Sequence, residues 1–201
     1  MKILAGTLID EQLTVHLLKR REKLGPFSDL NELRLHLGEL PFVPAGDLSD
    51  FGRGSQSVRY LMLGIMLTAG DSGGTLTEST GVFGWNGDGC TAENLRFWQD
   101  YVRNGRINGR GSLFVATLPT IPYCEAAITL GCRGGTAYFQ TEKSTAALFR
   151  LLTRRPSGRC IIGEVTRNSV CMFLLETGGA LPELPDAESL KQLFFLLKKS
   201  S

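Results

Sequence analysis

Few side chains in this chain of 201 residues can do covalent chemistry. The thiols are Cys90, Cys124, Cys132, Cys160 and Cys171, and the imidazoles are His16 and His36. A cysteine attacks as thiolate, so it needs a histidine, a cation or a helix N-terminus to lower its pKa. Cys90 closes the loop Trp85-Asn86-Gly87-Asp88-Gly89-Cys90 just ahead of a helical pattern, whose dipole would favour the thiolate. Cys132 lies in the turn Leu130-Gly131-Cys132-Arg133-Gly134. Neither has a histidine close in sequence, and both are expected to pack as small hydrophobes, as is Cys124. The thiol count is odd and no CxxC pair occurs, which points to reduced thiols in a cytoplasmic protein. No Cys/His spacing suits zinc, so no metal is expected.

Other constellations carry less chemistry. Asp88 with Glu93, or Glu125 with Glu142, would make an acid/base pair only if the fold brought them together. The loop from Gly84 to Gly89 could cradle a phosphate through backbone N–H groups. It lacks both the GxGxxG pattern and a P-loop lysine, so a strand-to-helix turn is expected there, and no cofactor. Arg103, Arg106 and Arg110 form one basic cluster, and Arg150, Arg154 and Arg155 form another. Each is a solvated surface or a dock for an acidic protein.

The elements that must position these residues follow from hydrophobic periodicity. Strands are predicted over Ile3–Ile9, Thr80–Trp85, Thr136–Phe139, Arg159–Glu164 and Val170–Glu176. Helices are predicted over Gln12–Leu24, within Phe27–Pro44, and over Ser57–Gly70, Thr91–Asn104, Pro122–Thr129, Ser144–Leu152 and Asp186–Lys199. Gly46–Gly54 reads as a linker. Thr91 and Asp186 are placed as N-caps of the helices they begin. Leu95, Trp98 and Val102 share one face of the fourth helix, with the two tryptophans in core or interface positions. Alternating strands and helices predict an α/β domain with a mixed, mostly parallel sheet of about five strands.

The order Leu118-Pro119, Pro122–Thr129, Leu130-Gly131-Cys132-Arg133-Gly134, Thr136–Phe139 and Ser144–Leu152 resembles the segment of β-ketoacyl synthases that leads into their catalytic cysteine. Ser57–Asp71 resembles the helix that precedes a strand in the same family. The resemblance runs from about Ile3 to Glu176 and implies a thiolase-like half-domain over 1–176, with a linker and amphipathic helix over 177–201. It implies a nucleophile between the strand Thr136–Phe139 and the helix that follows. Gln140 falls there, with Phe139, Thr141 and Lys143 as neighbours in register. An amide cannot form an acyl-enzyme. The family's decarboxylating histidines and lysine belong to a second half, which nothing after Glu176 supplies.

A glutamine at this place is similar to the chain-length-factor branch of type II polyketide synthases. The implied function is a non-catalytic subunit in a fatty-acid or polyketide-type pathway. Its implied partners are a full ketosynthase, in a heterodimer or a homodimer, and an acyl carrier protein docked on Arg103, Arg106, Arg110, Arg154 or Arg155. The alternative is a small acyltransferase using Cys90 or Cys132. In the family, the strand before the nucleophile pairs with its twofold mate, which here would be Thr136, Ala137, Tyr138 and Phe139. Either a partner or the last helix must cover the sheet face that a second half would occupy.

The totals agree with a globular domain: 42% of residues are hydrophobic, 21% are charged, and the net charge is +2. That charge gives no reason to expect nucleic acid or a membrane surface. No apolar run reaches the roughly 18–20 residues of a membrane span. The N-terminus reads as a first strand rather than a signal peptide.

Overall fold

The computed structural model describes residues 1–74, 76–107, 109–180 and 183–200. In chain order the elements are β1 (Lys2–Ile9), β2 (Val15–Leu17), β3 (Lys23–Leu24), α1 (Leu30–Leu37) and α2 (Gln56–Ser72). Next come β4 (Gly81–Trp85), α3 (Thr91–Arg103), α4 (Gly111–Val115), α5 (Ile121–Thr129) and β5 (Thr136–Phe139). The chain closes with α6 (Thr145–Thr153), β6 (Gly158–Val165), β7 (Val170–Thr177) and α7 (Leu190–Ser200).

Seven strands form one sheet in the order β3-β2-β1-β7-β6-β4-β5. The five long strands are the five expected from sequence. β1, β4, β5 and β6 all point the same way, and β7 lies between β1 and β6 in the opposite sense. The sheet is therefore mostly parallel in strand direction, yet only the β6–β4 and β4–β5 ladders are parallel. The tight turn from β6 to β7 forces an antiparallel return strand into the middle of the sheet.

The two extra strands replace the helix predicted over Gln12–Leu24. Val15 and Leu17 are buried while His16 points outward, a period of two. Leu13 and Arg21 sit at φ 54° and 58°, a left-handed conformation that no helix interior accepts. Asp10 starts the turn, with Oδ1 accepting from the Gln12 and Thr14 N–H groups. Its other oxygen pairs with His16 Nε2 at 3.0 Å, and the charge-assisted bonds hold its carboxyl below the usual range despite burial.

Alternation along the strands divides the interior into two cores. Ala5, Ile9, Val82, Ile161, Met172 and Leu174 face α1, α2 and α5. Leu8, Phe83, Trp85, Ile162, Phe173 and Leu175 face α6 and α7. The central helix α2 is buried almost all round. Gly64 lets it approach the sheet: a Cβ there would lie 2.7 Å from Met172 Sδ. Asp71 near its end is 1% exposed and accepts from the Gly6, Lys19 and Arg20 N–H groups, tying the helix to the β1–β2 corner.

On the opposite face, α7 places Leu190, Leu193 and Phe194 in the core at 0% exposure. It runs over β7, β1 and β6. The face expected to need either a partner or the last helix is thus covered by the chain's own α6 and α7.

Candidate functional site

In an open α/β sheet, ligand chemistry gathers at the carboxyl ends of parallel strands. Here those are the ends of β4, β5 and β6, followed by the loop to α3, the elbow to α6 and the turn to β7. The loop after β4 is built from glycines for backbone reasons. Gly87 sits at φ 73°, and a Cβ on it would lie 2.3 Å from the Val165 carbonyl oxygen. The Asp88 N–H donates to that carbonyl, and Asp88 Oδ2 accepts from the Arg167 N–H at 2.5 Å. The loop is thereby clamped to the β6–β7 turn.

Asn86 joins this loop to the elbow. Its N–H donates to the Phe139 carbonyl, and its Oδ1 accepts from the Thr141 N–H at 3.0 Å. The Trp85 indole N–H donates to Thr141 Oγ1 at 2.7 Å from a fully buried ring. The Tyr138 hydroxyl bonds the Asn86 carbonyl and lies 3.2 Å from Gln140 Oε1. Gln140 itself is exposed, four residues ahead of the α6 N-cap, Ser144. Its place is the rim of the strand ends.

The N-terminus of α6, where the resemblance puts thiolate chemistry, is filled from elsewhere in the chain. Ser144 Oγ accepts from the Ala147 N–H, the ordinary N-cap bond. The Asp186 carboxylate accepts from Ser144 Oγ at 3.0 Å and from the Ala146 N–H at 3.0 Å. Thr145 Oγ1 is 3.4 Å away, and the Ala187 N–H donates to Thr145 Oγ1 in turn. These bonds, led by that from Ala146, hold the Asp186 carboxyl below its ordinary pKa. Sequence placed Asp186 as the cap of the last helix. The chain folds so that it serves the helix before, and α7 begins at Leu190 with Ser189 Oγ accepting from the Gln192 N–H. Half-buried Glu164, at the end of β6, accepts from the Leu190 N–H at 2.6 Å. Burial raises its pKa and this bond opposes the rise.

Four of the five thiols are buried, and Cys124 is half-buried. Cys90 stands at the N-cap of α3, a role sequence gave to Thr91, whose hydroxyl instead donates to the Asp88 carbonyl. Burial, with Glu93 adding to it, pushes the Cys90 thiol up to about 11. Cys132 is buried in the turn after α5, and burial pushes it to about 11. Cys160 reaches about 11 for the same first reason, and Cys171 lies well above its usual value. Among the described residues no cluster of His, Cys, Asp and Glu could hold a metal.

The basic residues belong to separate elements. Arg110 pairs with Asp100. Arg106 lies over the Trp98 ring at 5.8 Å, and Arg103 is exposed on α3. At the other cluster, Arg155 stacks on Phe83 at 4.0 Å, while Arg154 joins Arg150, Leu151, Thr141 and Glu142 around a shallow cavity of about 430 Å³. Thr136, Ala137, Tyr138 and Phe139 form the edge strand β5. Val82 and Asn86 N–H groups take the Gly135 and Phe139 carbonyls. Alternation along the strand then turns the N–H and C=O of Thr136 and Tyr138 out of the sheet.

No family model and no curated protein sequence matches this chain. A solved structure similar to it is a ketosynthase, ApeO, in complex with its chain length factor, ApeC, from Xenorhabdus doucetiae. The TM-score is 0.58 at 13% identity, over 98% of this chain and 91% of that chain, so the two are of similar length. The fold is thiolase-like. No helix among the described residues is long and apolar enough to cross a membrane.

Proposed function

We propose that this chain is a non-catalytic, ketosynthase-like subunit that works beside an active ketosynthase in a fatty-acid or polyketide-type pathway. Residues 1–176 supply the thiolase-like part and 177–201 its own cover. The observation that carries the reading is the occupied N-terminus of α6. Acyl transfer in this architecture needs a thiolate held by that helix end, and the Asp186 carboxylate bonded to Ser144 and Ala146 takes the position. A second anion there would face direct repulsion from the first. Gln140 has no group that accepts an acyl chain. The raised pKa values of Cys90 and Cys132 also speak against the alternative of a small acyltransferase.

The partner is a full ketosynthase, met at the free edge of β5 through the outward backbone groups of Thr136 and Tyr138. The matched structure is itself that of a ketosynthase with a partner chain. Arg150 and Arg154, exposed beside the β5–α6 elbow, suit the acidic surface of an acyl carrier protein better than Arg110, which Asp100 already engages.

The test has two arms. Pure chain is mixed with acyl- and malonyl-carrier protein, and 3-oxoacyl product and decarboxylation are measured; neither is expected. The chain is then co-expressed with a full ketosynthase and co-purified. Thr136→Pro, which blocks an outward N–H without touching the ladder to β4, is expected to abolish co-purification. Turnover by the chain alone that disappears in Cys90→Ala or Cys132→Ala overturns the reading.

A further inference from the structure

Ten large apolar side chains stand exposed among the described residues, and seven of them fall between Leu95 and Leu118. Leu95, Trp98 and Val102 line one face of α3, a helix with no buried residue. Phe114, Val115 and Leu118 continue the patch over α4 and the turn after it. Phe97 and Tyr101 stack beside the stripe, and Phe97 meets Phe114 edge-on, so α3 and α4 form one hairpin. With Ile107 included, the patch leaves on the order of 600 Å² of apolar surface. A patch of that size marks an interaction site.

The hairpin starts where the free edge of β5 ends. A Cβ built on Gly89 would lie 3.7 Å from the Tyr138 hydroxyl of β5 and 3.9 Å from Pro119, just beyond α4. That edge is short. Four residues span about 13 Å, and at a layer width of about 10 Å their pairing covers on the order of 130 Å². A standard interface takes roughly 800 Å² from each partner. A chain held at β5 alone therefore lacks about the area that the hairpin exposes.

We infer that the α3–α4 hairpin is the larger part of the surface that docks a full ketosynthase, and that β5 is the smaller part. The inference rests on the ketosynthase-like reading and adds to it the contact that supplies most of the area. Continuity with β5 and the missing area select this occupant, and the charges disfavour two others. Glu93, Arg96, Asp100 and Arg103 alternate in sign along α3, and Arg106 lies over Trp98 at 5.8 Å. A second copy paired about Trp98 would bring two Arg106 side chains together. A lipid surface calls for a basic polar face, and this face carries both signs. Asp100 is already bound to Arg110, so the matching surface is apolar with carboxylates placed for Arg103 and Arg106.

The affinity of the co-purified ketosynthase for each variant of this chain tests the inference. Trp98→Glu is expected to weaken binding at least about 30-fold, the loss of a hot-spot tryptophan, and Val102→Glu to act in the same direction. Neither side chain is buried, so the far-UV spectrum should not change. Leu35→Glu, at 66% exposure on α1, is expected to leave affinity as it is. If both α3 variants bind within about threefold of wild type while Thr136→Pro does not bind, the inference falls and the β5 reading stands. A homodimer of the chain alone that Trp98→Glu dissolves assigns the hairpin to a second copy and also overturns it. A wild-type chain that binds no full ketosynthase overturns both this inference and the reading beneath it.

Discussion

Truncating Phe194 to alanine measures how far α7 belongs to the domain. The ring is fully buried, 6.1 Å from that of Phe173, between Leu190 and Leu193 of its own helix and the second face of the sheet. Removing it forfeits the transfer energy of a buried aromatic and leaves a cavity that the rigid sheet cannot close. Together these cost about 3–5 kcal/mol. A domain of this size is stable by about 5–15 kcal/mol, so the change consumes a large share of the total. At roughly 2–4 °C per kcal/mol, Tm should fall by about 6–20 °C. Urea unfolding followed by tryptophan fluorescence is the assay, because buried Trp85 reports the same core. The midpoint should drop with little change in slope if unfolding stays two-state. Exposed Lys199→Ala, on the same helix, should stay within about 0.5 kcal/mol of wild type. A Phe194→Ala loss below about 1 kcal/mol would refute the reasoning. It would mean that α7 is an appendage and that the sheet face is free for a partner.

Three further predictions concern charge, reactivity and backbone. Burial raises the Glu164 pKa above its ordinary 4.5, so the folded state holds that proton more tightly than the unfolded one. Stability from this group is full below that value and falls as pH rises towards the folded pKa; Glu164→Gln should flatten that part of the Tm-against-pH curve, and an unchanged slope would contradict the assignment. Native Cys90 and Cys132, each pushed to about 11, should react with an aromatic disulfide at neutral pH far more slowly than after denaturation. Rapid labelling of either in the folded protein would revive it as a nucleophile. In the turn after α5, a Cβ on Gly134 would lie 1.9 Å from the Ser79 carbonyl oxygen, whereas one on Gly131 meets nothing within 4 Å. Gly134→Ala should therefore destabilise by several kcal/mol, and Gly131→Ala, at φ 69°, only by the roughly 1–2 kcal/mol of a left-handed residue, compared by thermal unfolding.

Much of the fold is legible in the sequence because its information is local. Short continuous apolar runs, buried on both faces of the sheet, mark β1, β4, β6 and β7, and a buried apolar helix with a glycine at its close approach marks α2. The absence of a thiol at Gln140 needs only the order of elements around the elbow. Residues 13–24 misled because three leucines at loose helical spacing compete with an alternation of only three residues, and pairing with β1 decides between them. The apolar face of α3 is also visible as spacing, although spacing does not say whether the body covers it.

Tertiary structure alone decided what is non-local. Asp186 carries a genuine capping signal, but the helix it caps lies 40 residues earlier, and that choice depends on how α7 packs. Insertion of β7 between β1 and β6 sets which ladders are antiparallel and leaves β5 at the edge. The cysteine pKa values follow from burial, which no spacing reveals, because desolvation is a property of everything packed around the sulfur.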